Sequence, residues 1–487
     1  MDLAQIVDFL NSLVWSKALI YLCLAVGVYF SLRMRFFQVR HIKEMFKLLI
    51  GGGDSERGLS SFQAFSLAVS GRVGTGNIAG VATAIAMGGP GAVFWMWAIA
   101  FLGAGSAYVE SVLAQIYKEE RDGQYRGGPA YYIEKGMGMK WYAVTFAVST
   151  MVACGLLLPG VQANSIAAGV KNAFGVTPWI TGLGIVILLG LIIFGGVKRI
   201  GKAAELIVPF MAGGYILVSL IIIAVNITEL PGVLALIFKS AFGMDAVFGG
   251  ILGSAISWGV KRGIYSNEAG QGTGPMAAAT AEVSHPAKQG FVQAFSVYVD
   301  TLFVCSATAF MILITGKYNV HNPAGGFFVE NLPGIEYGPA FTQKAVETLF
   351  PSFGAAFVSI ALFFFAFTTL MAYYYYSETS LAYLVNDEGK RKLYINILRV
   401  ALLVSTFYGT VRTASFAWGL GDLGVGIMAW LNIIAILILQ KPALETLKDY
   451  EEQKKQGLDP VFDPAKYGIK NADIWYEINK NRKVANK

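Results

Sequence analysis

Apolar stretches about twenty residues long recur along nearly the whole chain, separated by short turns rich in glycine, lysine and arginine. A helix of that length crosses the hydrocarbon core of a bilayer, so the pattern predicts an all-α polytopic membrane protein. About eleven spans are expected, at 15–32, 60–87, 91–117, 141–173, 179–197, 204–227, 246–281, 290–316, 352–385, 391–410 and 413–440. Past Pro442 the chain turns polar and lysine-rich and reads as a soluble tail.

The second and seventh spans do not read as plain helices. SGRVGTGNIAG (70–80) sets Gly74, Gly76 and Gly80, all poor helix formers, beside Arg72, Thr75 and Asn77. Lipid cannot solvate freed peptide groups, so a break at this depth must line a cavity or be packed in protein. SWGVKRGIYSNEAGQGTG (257–274) is interrupted in the same way. With the first span set aside, ten remain, five plus five, and each break falls in the first helix of its half. An odd number of spans per half inverts the second half. Paired interrupted segments in inverted halves point to a transporter's binding site. The expected units are an N-terminal span with an amphipathic linker (1–58), a first inverted repeat (59–228), a second (229–440) and a cytoplasmic tail (441–487).

Composition supports this reading. Of 487 residues, 55% are hydrophobic and only 14% charged, against about 25% charged in a soluble domain. Mean hydropathy is +0.55. The net charge of +7 is no nucleic-acid footprint, because the basic residues cluster in alternate short loops. Arg33, Arg35, Arg40, Lys43, Lys47 and Arg57 follow the first span. Lys118, Arg121, Arg126, Lys135 and Lys140 follow the third, and Lys198, Arg199 and Lys202 the fifth. Lys390, Arg391 and Lys392 lie between the ninth and tenth. Basic loops mark the cytoplasmic side, which puts the N-terminus outside and the tail inside. The first apolar segment is followed by Arg33 and Arg35, not by a small-residue cleavage site, so it reads as a retained span. Cys23, Cys154 and Cys305 fall in separate apolar segments and the three histidines are scattered, which indicates neither a zinc site nor a disulfide frame. No motif pairs a nucleophile with a base, as an enzyme would need.

Unwinding at 74–77 would free amides at the positive end of the following helix, which suits a carboxylate. Carbonyls freed from the preceding half-helix, with the Asn77 amide oxygen, suit a small hard cation. The bland alternative is that the glycines only allow close helix packing. Lys261 and Arg262 need counter-charges, such as Glu268 or Asp300, unless they snorkel to the surface. Asp300, inside SVYVDTLFVCSA, could ligate a cation, relay a proton, or pair with Arg72, Lys261 or Arg262. Thr368 and Thr369 offer adjacent hydroxyls to a cation, or bond their own helix carbonyls. Gln162 either faces the cavity or ties helices together. Trp418 and Asp422 are candidates for a gate.

The stretches GTGNIAGVATAIAMGGPGAVFWMW (74–97), VPFMAGGYI (208–216), WGVKRGIYSNEAGQGTGP (258–275) and AFTTLMAYYYYSE (366–378) carry a resemblance. In them the chain resembles the alanine or glycine:cation symporters, also called sodium:alanine symporters, from residue 15 to a tail motif near 471–475. The resemblance implies the five-plus-five inverted repeat of leucine-transporter-like proteins. It also implies import of small neutral amino acids, chiefly alanine and glycine, with sodium or in some members a proton. Sodium is then the coupling ion, with no other cofactor. Thr75 and Gly76 would give amides to the substrate carboxylate, and Asn77 would stand beside a cation. Gln162 would face the substrate, and Ser257, Trp258 and Gly259 would complete the pocket. Thr368 and Thr369, with the carbonyls of Ser70 and Val73, would form a second sodium site. Residues 70–72 and 271–274 depart from the family's commonest pattern, which bears on substrate choice. A proton-coupled or uncoupled carrier remains an alternative, as does a passive channel, although two unlike breaks do not resemble a repeated channel filter.

Overall fold

The computed structural model describes residues 3–50 and 58–485. Arg57, counted above among the basic residues, and residues 486–487 of the expected tail lie outside the described residues. α1 (Leu3–Val14) and α2 (Lys17–Arg33) open the chain with a 41° bend between them. α3 (Ser61–Arg72) and α4 (Val81–Gly88) are the two pieces of the first broken segment, joined through a π-helical turn at Gly76–Gly80. α5 (Gly91–Ile116) follows. α6 (Lys140–Val152) and α7 (Leu158–Phe174) join through a second π turn, Ala153–Leu157. Next come α8 (Pro178–Ile193) and α9 (Gly196–Val225). α10 (Leu252–Asn267) and α11 (Gly274–Ala279) form the second broken segment. α12 (Pro286–Tyr298) and α13 (Ser306–Ile314) join through a third π turn, Val299–Cys305. Three long helices, α14 (Gly354–Leu384), α15 (Glu388–Thr410) and α16 (Ala414–Ile438), precede the tail helices α17 (Gln440–Lys455) and α18 (Asp473–Ala485). Short helices and two β-hairpins (Glu119–Arg121 with Gln124–Arg126, Asn319–His321 with Phe327–Glu330) fill the connections.

By length and composition, seven helices among the described residues can cross a membrane, or eight if α1 and α2 are one bent span. The polarity of the molecule is inside-out. Leu206 and Phe210 on α9 are 79% and 80% exposed, while Arg72, Glu110, Arg262 and Asp300 are buried. An apolar exterior of this kind suits hydrocarbon, and the ionisable groups are confined to the bundle interior. Two expectations shift in detail. The span drawn over 246–281 begins only at Leu252, because the Asp245 carboxylate accepts from the amides of Val247 and Phe248 (2.9 and 3.1 Å) and holds a turn there. The amphipathic linker is two short helices, Phe37–Arg40 and Ile42–Ile50, not one.

Local chemistry sets the broken segments. α3 begins with a capping box: the Ser60 hydroxyl accepts from the Gln63 amide, and the Gln63 side chain accepts from the Ser60 amide, both at 3.1 Å. It ends at Arg72, where Val73 leaves the helical region (φ −76°, ψ 88°). α10 ends at Glu268, which caps it in the left-handed region (φ 56°), and Gly270 and Gly272 follow with φ of 81° and 92°. Left-handed backbone is cheap for glycine and costly for residues with a Cβ. The two segments run antiparallel against one another. Leu59 bonds Thr280 at one end, and a Cβ on Gly76 would meet Ser266 at 3.2 Å in the middle. Beyond that, Gly80 faces Arg262 and Gly88 faces Ser254. The breaks therefore lie side by side.

Candidate substrate and cation site

At the first break, side chains hold the freed peptide groups. The Gly74 amide donates to Asn77 Oδ1 (2.8 Å), and the Thr75 amide donates to Gln162 Oε1 (3.0 Å) from α7. Thr369 on α14 brings its hydroxyl to the Val73 carbonyl at 3.4 Å, while also donating to its own Phe365 carbonyl at 3.0 Å. The Gln162 amide nitrogen reaches the Tyr373 hydroxyl at 3.5 Å. The Thr75 hydroxyl is buried with no hydrogen-bond partner. Gln162, Thr369 and Gly74 are in contact: a Cβ on Gly74 would stand 3.0 Å from Gln162 Oε1 and 2.4 Å from Thr369 Oγ1.

Behind this layer, Asn77 Nδ2 donates to Asp300 Oδ1 (2.7 Å), and Ser266 Oγ donates to the same oxygen (3.1 Å). Thr301 Oγ1 donates to Asp300 Oδ2 at 2.6 Å, and Thr308 Oγ1 donates to the Asn77 carbonyl at 2.6 Å. Asp300 sits on the third π turn, whose widened backbone turns the carboxylate inward. It therefore meets both broken segments, through Asn77 from one and Ser266 from the other.

Charged layers flank the break. On the Gly80 side, Arg262 grips Asp422 of α16 through both carboxylate oxygens (2.8 and 2.9 Å), and Lys261 meets the same carboxylate at 2.7 Å. The Arg262 guanidinium lies 4.4 Å from the Trp418 ring centroid and 5.2 Å from that of Trp258. Trp15 donates its indole N–H to the Asp422 carbonyl (2.7 Å). On the opposite side, toward Leu59 and Thr280, lie Arg72, Glu110 and Glu268. Arg72 donates to the Gln293 carbonyl (3.2 Å) and to the Ser296 hydroxyl. Glu110 accepts from the Gly270 amide (3.2 Å) and from Asn432 Nδ2 (2.7 Å).

The sequence-derived residues divide accordingly. Val73, Thr75, Gly76, Asn77, Gln162, Asp300 and Thr369 converge on the breaks. Ser257, Trp258 and Gly259 do not: α10 is continuous through them, and the second break comes ten residues later, at 268–273. Trp258 belongs to the Arg262–Asp422 layer. Gly259 is a packing contact, since a Cβ there would meet the Ala92 carbonyl at 2.5 Å. Thr368 turns away toward the Phe364 and Phe365 carbonyls (3.0 and 2.9 Å) and Met211 Sδ (3.8 Å), so only one of the paired hydroxyls reaches the break. The Ser70 hydroxyl donates to the Leu67 carbonyl at 2.7 Å, which leaves the expectation for the Ser70 carbonyl untouched. Lys261 and Arg262 find their counter-charge in Asp422, not in Asp300 or Glu268. Ser266 and Tyr373 were not anticipated. Glu110 was also passed over, although a lone carboxylate in an apolar run is the same feature that singled out Asp300.

A family profile described as "Sodium:alanine symporter family" matches residues 1–464. YrbD of Bacillus subtilis (strain 168) is 66% identical over 97% of this chain and 98% of its own length. The sodium/proton-dependent alanine carrier protein of Bacillus sp. (strain PS3) is 57% identical over 88% of this chain and 97% of its own. Among solved structures, a Na+-coupled sialic acid symporter in a substrate-bound outward-open state superposes with a TM-score of 0.53, covering 88% of this chain and 87% of that one. At 13% identity this is a likeness of fold alone.

Proposed function

Because the chain belongs to the sodium:alanine symporter family, we propose that it imports small neutral amino acids, alanine and glycine, by sodium-coupled alternating access. It is a membrane transporter and not an enzyme. The observation that carries the substrate reading is the state of the first break: the Gly74 and Thr75 amides are held by the neutral acceptors of Asn77 and Gln162. A substrate carboxylate arriving there exchanges a neutral acceptor for a charged one, and charge-assisted hydrogen bonds are about twice as strong. The Gln162 amide then swings toward the ligand. Sodium is assigned to the oxygens around Val73 and Thr369, with the Ser70 carbonyl and the Asn77–Asp300 pair behind. The contact of Gly74 with Gln162 and Thr369 leaves little room, which favours a methyl group or a hydrogen as the substrate side chain.

The same proposal takes eleven spans, one plus two inverted halves of five, with the N-terminus outside and the tail in the cytoplasm. The antiparallel run of the two broken segments and the alternation of basic loops support it. To test the coupling, the purified protein is reconstituted in liposomes and uptake of labelled alanine is followed with and without an inward sodium gradient. Saturable uptake that the gradient accelerates is expected. Equal rates in both conditions reject sodium coupling, and the absence of alanine counterflow rejects carriage altogether.

A further inference from the structure

We propose that Glu268 is a proton-carrying site of this transporter: its carboxyl group holds a proton in the closed arrangement described here. It releases that proton to water when the break opens on the Leu59–Thr280 side. This rests on the reading that the two breaks open alternately.

Four observations converge on Glu268. First, it is buried, 1% exposed, and the one donor beside its carboxylate is the Thr273 hydroxyl. A buried ionised carboxylate so poorly supplied with donors is among the costliest groups a protein can hold. Second, it caps the C-terminal end of α10, where the helix dipole is negative and opposes a second negative charge. Third, it is a non-glycine residue held at φ 56°, and residues in that region persist where the surrounding structure imposes them, often at functional sites. Fourth, the local charges do not balance. The charged groups facing it are Arg72 from α3, Glu110 from α5 and Asp300 from the α12–α13 turn, so three carboxylates meet one guanidinium.

The other two acids are furnished as anions. Asp300 receives donors from Asn77, Ser266 and Thr301, and Glu110 from Gly270 and Asn432. Glu268 receives the fewest, the Thr273 hydroxyl alone, so the proton belongs there. The remaining titratable groups near it are neutral at ordinary pH: Tyr265, Tyr373, Tyr376 and Cys154. The space for a carboxyl proton is built. Gly71 has no side chain, and a Cβ there would stand 2.5 Å from the Tyr376 hydroxyl and 3.2 Å from Glu268 Oε2. The Tyr376 hydroxyl is itself buried without a partner, ready to accept from a Glu268 O–H. A second metal ion at this point would have the Arg72 cation as a neighbour, which favours the proton as occupant. The step itself is one O–H bond breaking, with the proton passing to water on that side.

Two measurements on the full-length protein test this. In infrared spectra at neutral pH, the C=O stretch of a protonated carboxyl group is expected in the wild type and missing in Glu268→Gln. An unchanged band in the variant, or a band that appears only when sodium is withdrawn, overturns the proposal. Alanine exchange in proteoliposomes is then compared across pH within each protein, so that a lower absolute rate does not matter. The wild type is expected to change by up to about tenfold per pH unit over the titration of one group, with Glu268→Gln flat over the same range. A pH profile retained in Glu268→Gln refutes the assignment. Tyr376→Phe, which keeps the carboxyl and the ring, is expected to keep the infrared band but shift its frequency. If the wild type exchanges no alanine, the transport reading fails, while the infrared result still decides the protonation of Glu268.

Discussion

Adding one methyl group at Gly74 reports on the proposed sodium site without replacing any side chain assigned to it. Gly74 does not occupy the left-handed region, so alanine brings no backbone strain. Its Cβ would stand 2.4 Å from Thr369 Oγ1, 3.0 Å from Gln162 Oε1 and 3.3 Å from Thr369 Cβ. Restoring ordinary contact, near 3.4 Å, makes the hydroxyl retreat by about 1 Å. Thr369 Oγ1 already sits at 3.4 Å from the Val73 carbonyl, so the retreat separates the two oxygens assigned to the cation. An interaction with a charged group is worth about 1.5–3 kcal/mol, which converts to a loss of sodium affinity of about 10- to 150-fold. In Gly74→Ala, the sodium concentration that half-saturates alanine uptake is therefore expected to rise at least about tenfold. Overpacking of this size costs about 1–3 kcal/mol, so the fold survives. Thr369→Ala removes the same oxygen and should match it. Combining the two should be no worse than either alone, because the threonine that clashes is gone. Unchanged half-saturation in both single variants would remove sodium from between Val73 and Thr369.

Asp422→Asn strands two buried cations, Arg262 and Lys261, and is expected to cost about 3–5 kcal/mol, read as a lowered melting temperature in detergent; adding Lys261→Met should recover part of it. Trp475, fully buried in the tail, donates its indole N–H to the Gln115 carbonyl at 2.9 Å. Trp475→Ala should cost about 3–5 kcal/mol of tail docking, seen as faster limited proteolysis of residues beyond α17 with the helical core still protected. The tail should also loosen in acid. His285 is neutral in the fold, with Nδ1 accepting from the Ala287 amide (3.2 Å) and Nε2 facing Asp449 Oδ2 (3.1 Å), and its burial lowers its pKa. The unfolded chain then binds the extra proton, so this contribution is present above about pH 6.5 and is lost as pH falls below it. Burial alone would push Asp449 up, but the bonds from His285, Lys466 and Tyr467 outweigh it and hold it below the usual carboxylate range, so its loss comes only in stronger acid. Proteolysis of the tail should quicken between about pH 7 and pH 5, and His285→Gln should flatten that dependence.

The sequence carried the architecture further than the site. Apolar runs and glycines are local features, and both broken segments are visible in SGRVGTGNIAG and SWGVKRGIYSNEAGQGTG. Where the second one breaks was not. Ser257, Trp258 and Gly259 look like a break by composition, yet α10 runs through them, because Gly259 packs on Ala92 and Trp258 stacks on Arg262. The chain leaves the helix only where Gly270 and Gly272 can adopt positive φ. Gln271, Gly272 and Thr273, which also depart from the family's commonest pattern, fall inside the break at 268–273. Pairings between distant segments were equally hidden. Nothing local in the chain says that Lys261 and Arg262 choose Asp422 over Asp300, or that Thr369 and not Thr368 reaches Val73.

The two sides of the break are built from different forces, and that difference bears on how the molecule opens. Parting the Gly80 side means separating a bidentate Arg262–Asp422 pair and the Lys261 contact, and withdrawing Trp418 from the guanidinium face. Each of those charges, once separated, needs water at once, so this side opens only together with a wetted path. On the opposite side the buried pair is Arg126 with Glu378, joined through one carboxylate oxygen at 2.8 Å. Arg72 is held by a carbonyl and neutral side chains, and the Glu268 carboxyl by the Thr273 hydroxyl alone. Water entering there satisfies groups that the closed form leaves unsatisfied, including the hydroxyl of Tyr376. Opening toward Leu59 and Thr280 thus brings water to groups that the closed form leaves orphaned. A ligand can bias the balance only by binding the two arrangements unequally. The groups placed to do so are Gln162 and Asn77, which touch the breaks in the closed form and, under the proposed function, change partners when the amino acid binds.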